Sequence, residues 1–192
     1  MARQTWAFTL TFSSDTYATT TDADLTTVLS EQACFSGTLA GYSSGGDDNV
    51  SKAVLTDKLV FATDTTAQAT DADLTGGVNR PTGLSDGSTN GYVAGGTTIP
   101  SGKTDRVDQL VFATDVMAVN TDATLPTDYD TGGATGLSDK TNGYWAGGLT
   151  GGGSTSDVTM QLVFASDTTA FKTDADLSEE RRSPGAVSDG VA

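Results

Sequence analysis

A chain of 192 residues can bury one sizeable core, and its 25 acidic against 10 basic side chains, a formal charge of -15, argue against nucleic acid or an anionic lipid surface as partner. With no histidine and a single cysteine, Cys34, a Cys-His nucleophile and an intrachain disulfide framework are both excluded. Thr, Asp, Gly, Ser and Ala dominate, and no apolar stripe of helical period runs for any length, so the composition is that of an all-β protein.

Taken in chain order, residues 4–12 predict the first strand, because Trp6, Phe8, Leu10 and Phe12 alternate with Ala7, Thr9 and Thr11. Residues 13–15 end it in a turn whose Asp15 carboxylate suits a local backbone N–H. Residues 16–25 form a polar outer part whose alternation suits a rim strand facing water on one side and which closes on Leu25, and residues 28–42 lead to the glycine pair Gly45-Gly46 and an acidic loop over 47–51. A second strand of the first kind spans 53–61, and Asn79-Arg80-Pro81 breaks the chain before the next Gly-Tyr phrase. A polar loop over 97–106 precedes a strand over 107–112, a Gly/Asp turn region covers 126–133, and the glycine-rich loop at 149–157 is the best placed for a mobile tip. The last such strand covers 160–164, followed by the one dense charge cluster, Glu179-Glu180-Arg181-Arg182.

These elements repeat. Leu10-Thr11-Phe12-Ser13-Ser14-Asp15 recurs as Leu59-Val60-Phe61-Ala62-Thr63-Asp64, Leu110-Val111-Phe112-Ala113-Thr114-Asp115 and Leu162-Val163-Phe164-Ala165-Ser166-Asp167, at separations of 49, 51 and 52 residues. Fifteen residues after each first leucine a TDADL-like phrase closes on Leu25, Leu74, Leu125 or Leu177. A GYxxGG phrase occupies 41–46, 91–96 and 143–148, and a small polar joint follows the closing leucine at 83–86, 136–139 and 186–189. Each unit of roughly 50 residues offers about four short strands with too little apolar surface to stand alone, so the units must pack on one another as a single domain over 1–192. Burying Phe12, Phe61, Phe112 and Phe164 at about 1.5 to 3 kcal/mol each places them in the expected core.

Read as one unit, residues 80–125 resemble the kelch repeat: Arg80 leads, Tyr92 and the pair Gly95-Gly96 stand where the family has its aromatic and double glycine, and Asp115 where it has a strand-ending acid. A leucine replaces the tryptophan usual in the outer strand, and the third unit lacks the arginine. The resemblance implies an all-β, kelch-like β-propeller of about four repeats. The chain enters one strand late and leaves one strand early, so the ring is closed by the termini or completed by another chain. Similarity in style to bacteriophage appendage propellers, with no export signal expected at the start, implies a virion location. The implied role is a non-enzymatic structural or attachment component, a neck, tail or fibre protein, whose partners are other virion proteins or copies of itself. A carbohydrate-binding adhesin that recognises a surface glycan, and an intracellular kelch-type interaction module, are the alternatives.

Little in the chain carries chemistry. The pairs Asp22/Asp24, Asp71/Asp73 and Asp174/Asp176 read as turn caps rather than calcium ligands, since the other copy has Thr124 and no calcium-loop spacing accompanies them, so no metal is assigned. Residues 83–87 spell GxSxG in a polar joint without a histidine to activate Ser85, no phosphate or dinucleotide motif is present, and neither catalytic residue nor cofactor is expected. Tyr92, Tyr144 and Trp145 read as packing beside the glycine pairs, with Tyr144 and Trp145 the first residues to suspect if a ligand site exists. No run approaches the length of a membrane span, so membrane insertion is not expected.

Overall fold

The computed structural model describes residues 7–11, 16–48, 50–98, 102–126, 129–130, 132–150 and 153–186. Among them there is no α-helix. The protein is all-β, with three four-stranded antiparallel sheets, a two-stranded hairpin and one short additional pairing. The hairpin joins β1 (Ala7–Thr11) to β2 (Thr16–Thr20). The first sheet contains β3 (Ala33–Ser36), β4 (Ala40–Ser44), β5 (Thr56–Val60) and β6 (Thr65–Gln68). The second contains β7 (Thr82–Ser85), β8 (Asn90–Ala94), β9 (Val107–Val111) and β10 (Val116–Val119). After the short β11 (Tyr129–Asp130), the third contains β12 (Thr135–Ser138), β13 (Asn142–Ala146), β15 (Thr159–Val163) and β16 (Thr168–Phe171), and β14 (Leu149–Thr150) pairs with β11.

Each sheet is a meander in chain order, so every strand pairs with the next one in its own repeat. By repeat position β1 and β2 are the third and fourth strands of such a sheet. The strand predicted over 4–12 is described as Ala7–Thr11, and the turn expected at 13–15 lies outside the described residues.

Local chemistry is repeated with the strands. The glycine pairs have positive φ at 70° and 101° (Gly45, Gly46), 64° and 94° (Gly95, Gly96) and 70° and 98° (Gly147, Gly148), the left-handed region where a side chain is disfavoured. Asp64, Asp115 and Asp167, the strand-ending acids, also sit at positive φ of 51° to 54°, which aspartate tolerates better than most residues. The TDADL phrase is not a rim strand. Thr21–Ala23, Thr70–Ala72 and Thr173–Ala175 form single 3-10 turns after the fourth strand. Their aspartates act on the backbone: Asp73 accepts from the Thr56 N–H at 2.8 Å and Asp176 from the Thr159 N–H at 2.8 Å, tying the turn to the third strand of the same sheet.

Two apolar layers lie between the three sheets. Phe35, Tyr42, Ala72 and Leu74 of the first sheet's repeat meet Val93, Leu110 and Met117 of the second. Leu84, Tyr92, Ala123 and Leu125 of the second repeat meet Trp145, Met160 and Leu162 of the third. The expected phenylalanine core needs correction. Phe61 is 45% exposed and Phe112 and Phe164 are half-buried, while Tyr42, Tyr92 and the anchor leucines Leu110 and Leu162 are buried. A phenylalanine here is covered only by the sheet that precedes it, as Phe112 is by Tyr42 and Phe164 by Tyr92, with ring centroids 5.4 Å apart in both cases. Phe12 lies outside the described residues.

The first strands β3, β7 and β12 come close enough for glycine to be required. A Cβ on Gly83 would stand 2.7 Å from the Cys34 carbonyl oxygen, and one on Gly136 would collide with the carbonyl oxygen of Gly83. A further chain of backbone bonds crosses the repeats at the joints: Arg80 N–H to Glu31 O at 3.0 Å, Gly133 N–H to Arg80 O at 3.3 Å and Ser183 N–H to Gly133 O at 2.6 Å. Because the obstacle is backbone rather than a side chain that can swing away, Gly136→Ala is expected to cost about 1 to 3 kcal/mol. A denaturant midpoint unchanged from the parent protein would show that the sheets are not this close.

Candidate functional site

The sheet-to-sheet contact is built from a few positions used twice. Tyr42, at the centre of β4, donates its hydroxyl to Asp115 of the second sheet at 2.7 Å, and Lys58 beside it reaches the same carboxylate at 2.5 Å. Tyr92, at the same place in β8, donates to Asp167 of the third sheet at 2.9 Å and accepts from Gln109 at 3.1 Å. Burial, and after it the hydrogen bond and charge of the acceptor aspartate, raises both phenols well above their ordinary value.

A second contact lies further out. Thr26 gives its N–H at 2.9 Å and its hydroxyl at 2.5 Å to Asp57, and Thr75 gives the same two groups to Asp108 at 3.2 and 2.7 Å. Asp108 is 1% exposed. Burial raises its pKa, while Thr75 and the Arg106 guanidinium, 3.1 Å away, pull in the opposite direction. Sequence reasoning passed over this pairing, although its signal is present. Where the third sheet has Met160 in place of the aspartate, the residue after the closing leucine is Pro126 in place of the threonine, and cross-strand Trp145 replaces Val93. The acid and its donor are exchanged together for an apolar set.

Of the suspected ligand residues, Trp145 is 0% exposed inside this apolar set, with its Nε1–H buried and without a hydrogen-bond partner, so it offers no face to a ligand. Tyr144 is half-buried, its hydroxyl 3.3 Å from Asp139 of its own sheet rather than on a neighbouring one, and burial together with that carboxylate raises its pKa. The two adjoin on β13 but point to opposite faces, so they do not form one site. Ser85 donates to the Ser36 carbonyl at 2.7 Å, the bond of a joint residue. Arg80 pairs with Glu31 at 3.0 Å across the joint.

The outer faces of the stack are unlike its interior. On the first sheet, the face turned away from the second lines a cavity of about 510 Å³ with Cys34, Gly41, Ser43, Leu59 and Phe61, closed at its outer side by Ala23, Leu25 and the Thr26–Asp57 contact. On the third sheet, Ala175 and Phe171 are exposed, although Ala72 and Ala123, the equivalents of Ala175, are 0% exposed. A smaller channel of about 230 Å³ runs among the first strands, lined by residues of β3, β7 and β12 and by Ala186. Among the described residues, no group of three or more Cys, Asp or Glu side chains converges as a metal would need, and no helix is long and apolar enough to cross a membrane.

No protein-family model matches the chain, and a search of curated proteins returned no match.

Two outcomes follow from the site's electrostatics. Tyr42 and Tyr92 hold their protons more tightly folded than unfolded, so the unfolded chain binds fewer protons above the ordinary phenol value of roughly 10. Their contribution to stability is complete below that pH and is lost progressively above it. Urea unfolding between pH 9 and 11.5 should show this decline, and Tyr92→Phe should flatten it while lowering stability near neutral pH by about 1.5 kcal/mol. Thr75→Val keeps the backbone N–H bond but leaves the buried Asp108 short of the hydroxyl bond, and is expected to cost about 1 to 3 kcal/mol. In the double variant Thr75→Val/Asp108→Met the loss should be smaller than the sum of the two single losses, a coupling that a double-mutant cycle measures.

Proposed function

We propose that the protein is a non-enzymatic β-propeller-type module, kelch-like in its repeat, that serves as a structural or attachment component of a virus particle such as a phage neck, tail or fibre. The observation that carries this reading is the use made of the repeated polar residues. The turn aspartates Asp115 and Asp167, the tyrosines Tyr42 and Tyr92 and the pairs Thr26–Asp57 and Thr75–Asp108 are all spent on joining one sheet to the next. What repeats is therefore adhesive between modules, and a chain whose repeated groups join modules is suited to building assemblies. The propeller arrangement is supported by the channel among the first strands, where Ala186 joins β3, β7 and β12 as a fourth contributor. The absence of histidine from the whole chain and the virus-appendage style of the Thr/Gly/Asp-rich repeat support the rest.

Purified particles of the source virus should contain the protein in fixed stoichiometry by quantitative mass spectrometry. Recovery solely as a soluble protein free of particles would overturn the proposal.

Tyr144 favours the adhesin as a second reading, because its ring lies on the third sheet's outward face, where among the described residues no neighbouring sheet's aspartate takes its hydroxyl. A glycan array separates the two. Under the adhesin reading Tyr144→Ala abolishes binding with little change in thermal midpoint. Trp145→Ala acts through the core in either case, at about 3 to 5 kcal/mol.

A further inference from the structure

The hairpin between the first two strands of each sheet is held in one way on the second and third sheets and in another on the first. On the second, one carboxylate oxygen of Asp86 accepts from the backbone N–H groups of Ser88, Thr89 and Asn90 at 2.8, 2.7 and 3.0 Å. On the third, Asp139 accepts from those of Thr141 and Asn142 at 2.9 and 2.7 Å. The first sheet has Gly37 at the place of this aspartate, with Ser36 to Gly41 matching Ser138 to Gly143 in length. Its Leu39 and Ala40 N–H groups, the equivalents of those of Thr141 and Asn142, have no acceptor among the described residues, although Ala40 is 5% exposed. An aspartate is shut out here, because a Cβ on Gly37 would stand 2.8 Å from the Phe112 ring of the second sheet.

The two donors border a crevice between the sheets. Gly37, Leu39, Ala40, Tyr42 and Lys58 of the first sheet and Phe112 of the second line about 270 Å³ of space. Phe112 and Leu39 make part of that lining apolar, and Lys58 brings a charge to it. The Lys58 ammonium reaches Asp115 at 2.5 Å, and with three hydrogens it keeps donors for a second anion. At the equivalent position the second sheet has the uncharged Gln109, and its hairpin donors are already taken by Asp86.

We propose that this crevice binds a small organic carboxylate with a flat apolar body. The carboxylate accepts from the Leu39 and Ala40 N–H groups, as the aspartates of the other two hairpins do, and pairs with the Lys58 ammonium, while the body lies against Phe112 and Leu39. The space equals roughly nine waters at about 30 Å³ each, enough for one ring with its carboxylate and too little for a folded polypeptide. The inference stands on the hairpin and the crevice, and holds whether or not the protein belongs to a virus particle.

The test titrates the full chain with 4-fluorobenzoate, followed by the fluorine line width and by backbone amide shifts. Saturation is expected with a dissociation constant on the order of 1 mM, and the Leu39 and Ala40 amides should move downfield. 4-Fluorobenzyl alcohol keeps the ring without the charge and should bind about tenfold more weakly. Lys58→Gln, which gives the first sheet the residue of the second, should weaken the benzoate about tenfold and leave the alcohol unchanged. Lys58 and Asp115 are both partly exposed, so the thermal midpoint of this variant should stay near the parent value. Gly37→Asp combined with Phe112→Ala supplies the carboxylate from within the chain and should abolish benzoate binding. No saturation in the tens of millimolar, equal binding of the alcohol, full affinity in Lys58→Gln, or amide shifts that bypass residues 37–40 would overturn the proposal. So would an acidic peptide that binds this crevice more tightly than benzoate, because it would make the occupant a polypeptide.

Discussion

The structure depends on how closely one sheet can lie on the next. At the first strands the limit is backbone against backbone, and Gly83 and Gly136 meet it by having no side chain. Only with that approach can Tyr42 and Tyr92 reach across to Asp115 and Asp167 with hydrogen bonds of normal length. The apolar layers then close around the rings, since a sheet of four short strands buries too little alone. Remove the close approach and the tyrosines are left as buried donors without acceptors, which is costly in a low-dielectric interior.

The third interface shows that the same geometry accepts a different chemistry. The Thr75–Asp108 contact between the first and second repeats is replaced one repeat later by Pro126, Met160 and Trp145, an apolar filling of the same place. A buried carboxylate has to be fully bonded to be tolerated, so the acid and its donors change as a set. The indole of Trp145 occupies space that in the first sheet belongs to Ser43, and this smaller residue is part of why that sheet faces a cavity instead of a packed layer. One scaffold thus has a dry interface, a charged interface and a face that lines a cavity, differing by a handful of side chains.

Much of the fold was legible in the chain because its signals are local. Alternation marked the strands, the double glycines marked the positive-φ turns, and the strand-ending aspartates marked the hairpins, all within a few residues of where they act. The D-x-D phrases do lie at turns, but Asp73 and Asp176 tie the turn to the third strand rather than cap it, and the 3-10 geometry was read as strand because polar alternation fits both. The phenylalanines were misplaced for a non-local reason. Phe61, Phe112 and Phe164 share one motif, and their burial differs with whether another sheet stands in front of them. Trp145 was suspected because it breaks the repeat; it does so by filling the core, and a single sequence does not say on which face of a strand an irregular residue is covered.

By itself the sequence determined the repeat, its strands and turns, and the absence of histidine chemistry, because each is fixed by residue type and short-range spacing. Only the tertiary structure decided that the turn aspartates accept from tyrosines one sheet earlier, that Thr26 and Thr75 hold Asp57 and Asp108, and that Gly41 and Phe61 of the first sheet line a cavity. Those contacts join residues 31 to 75 positions apart, and which of several identical motifs meets which neighbour is set by the stacking of whole sheets, not by any one stretch of chain.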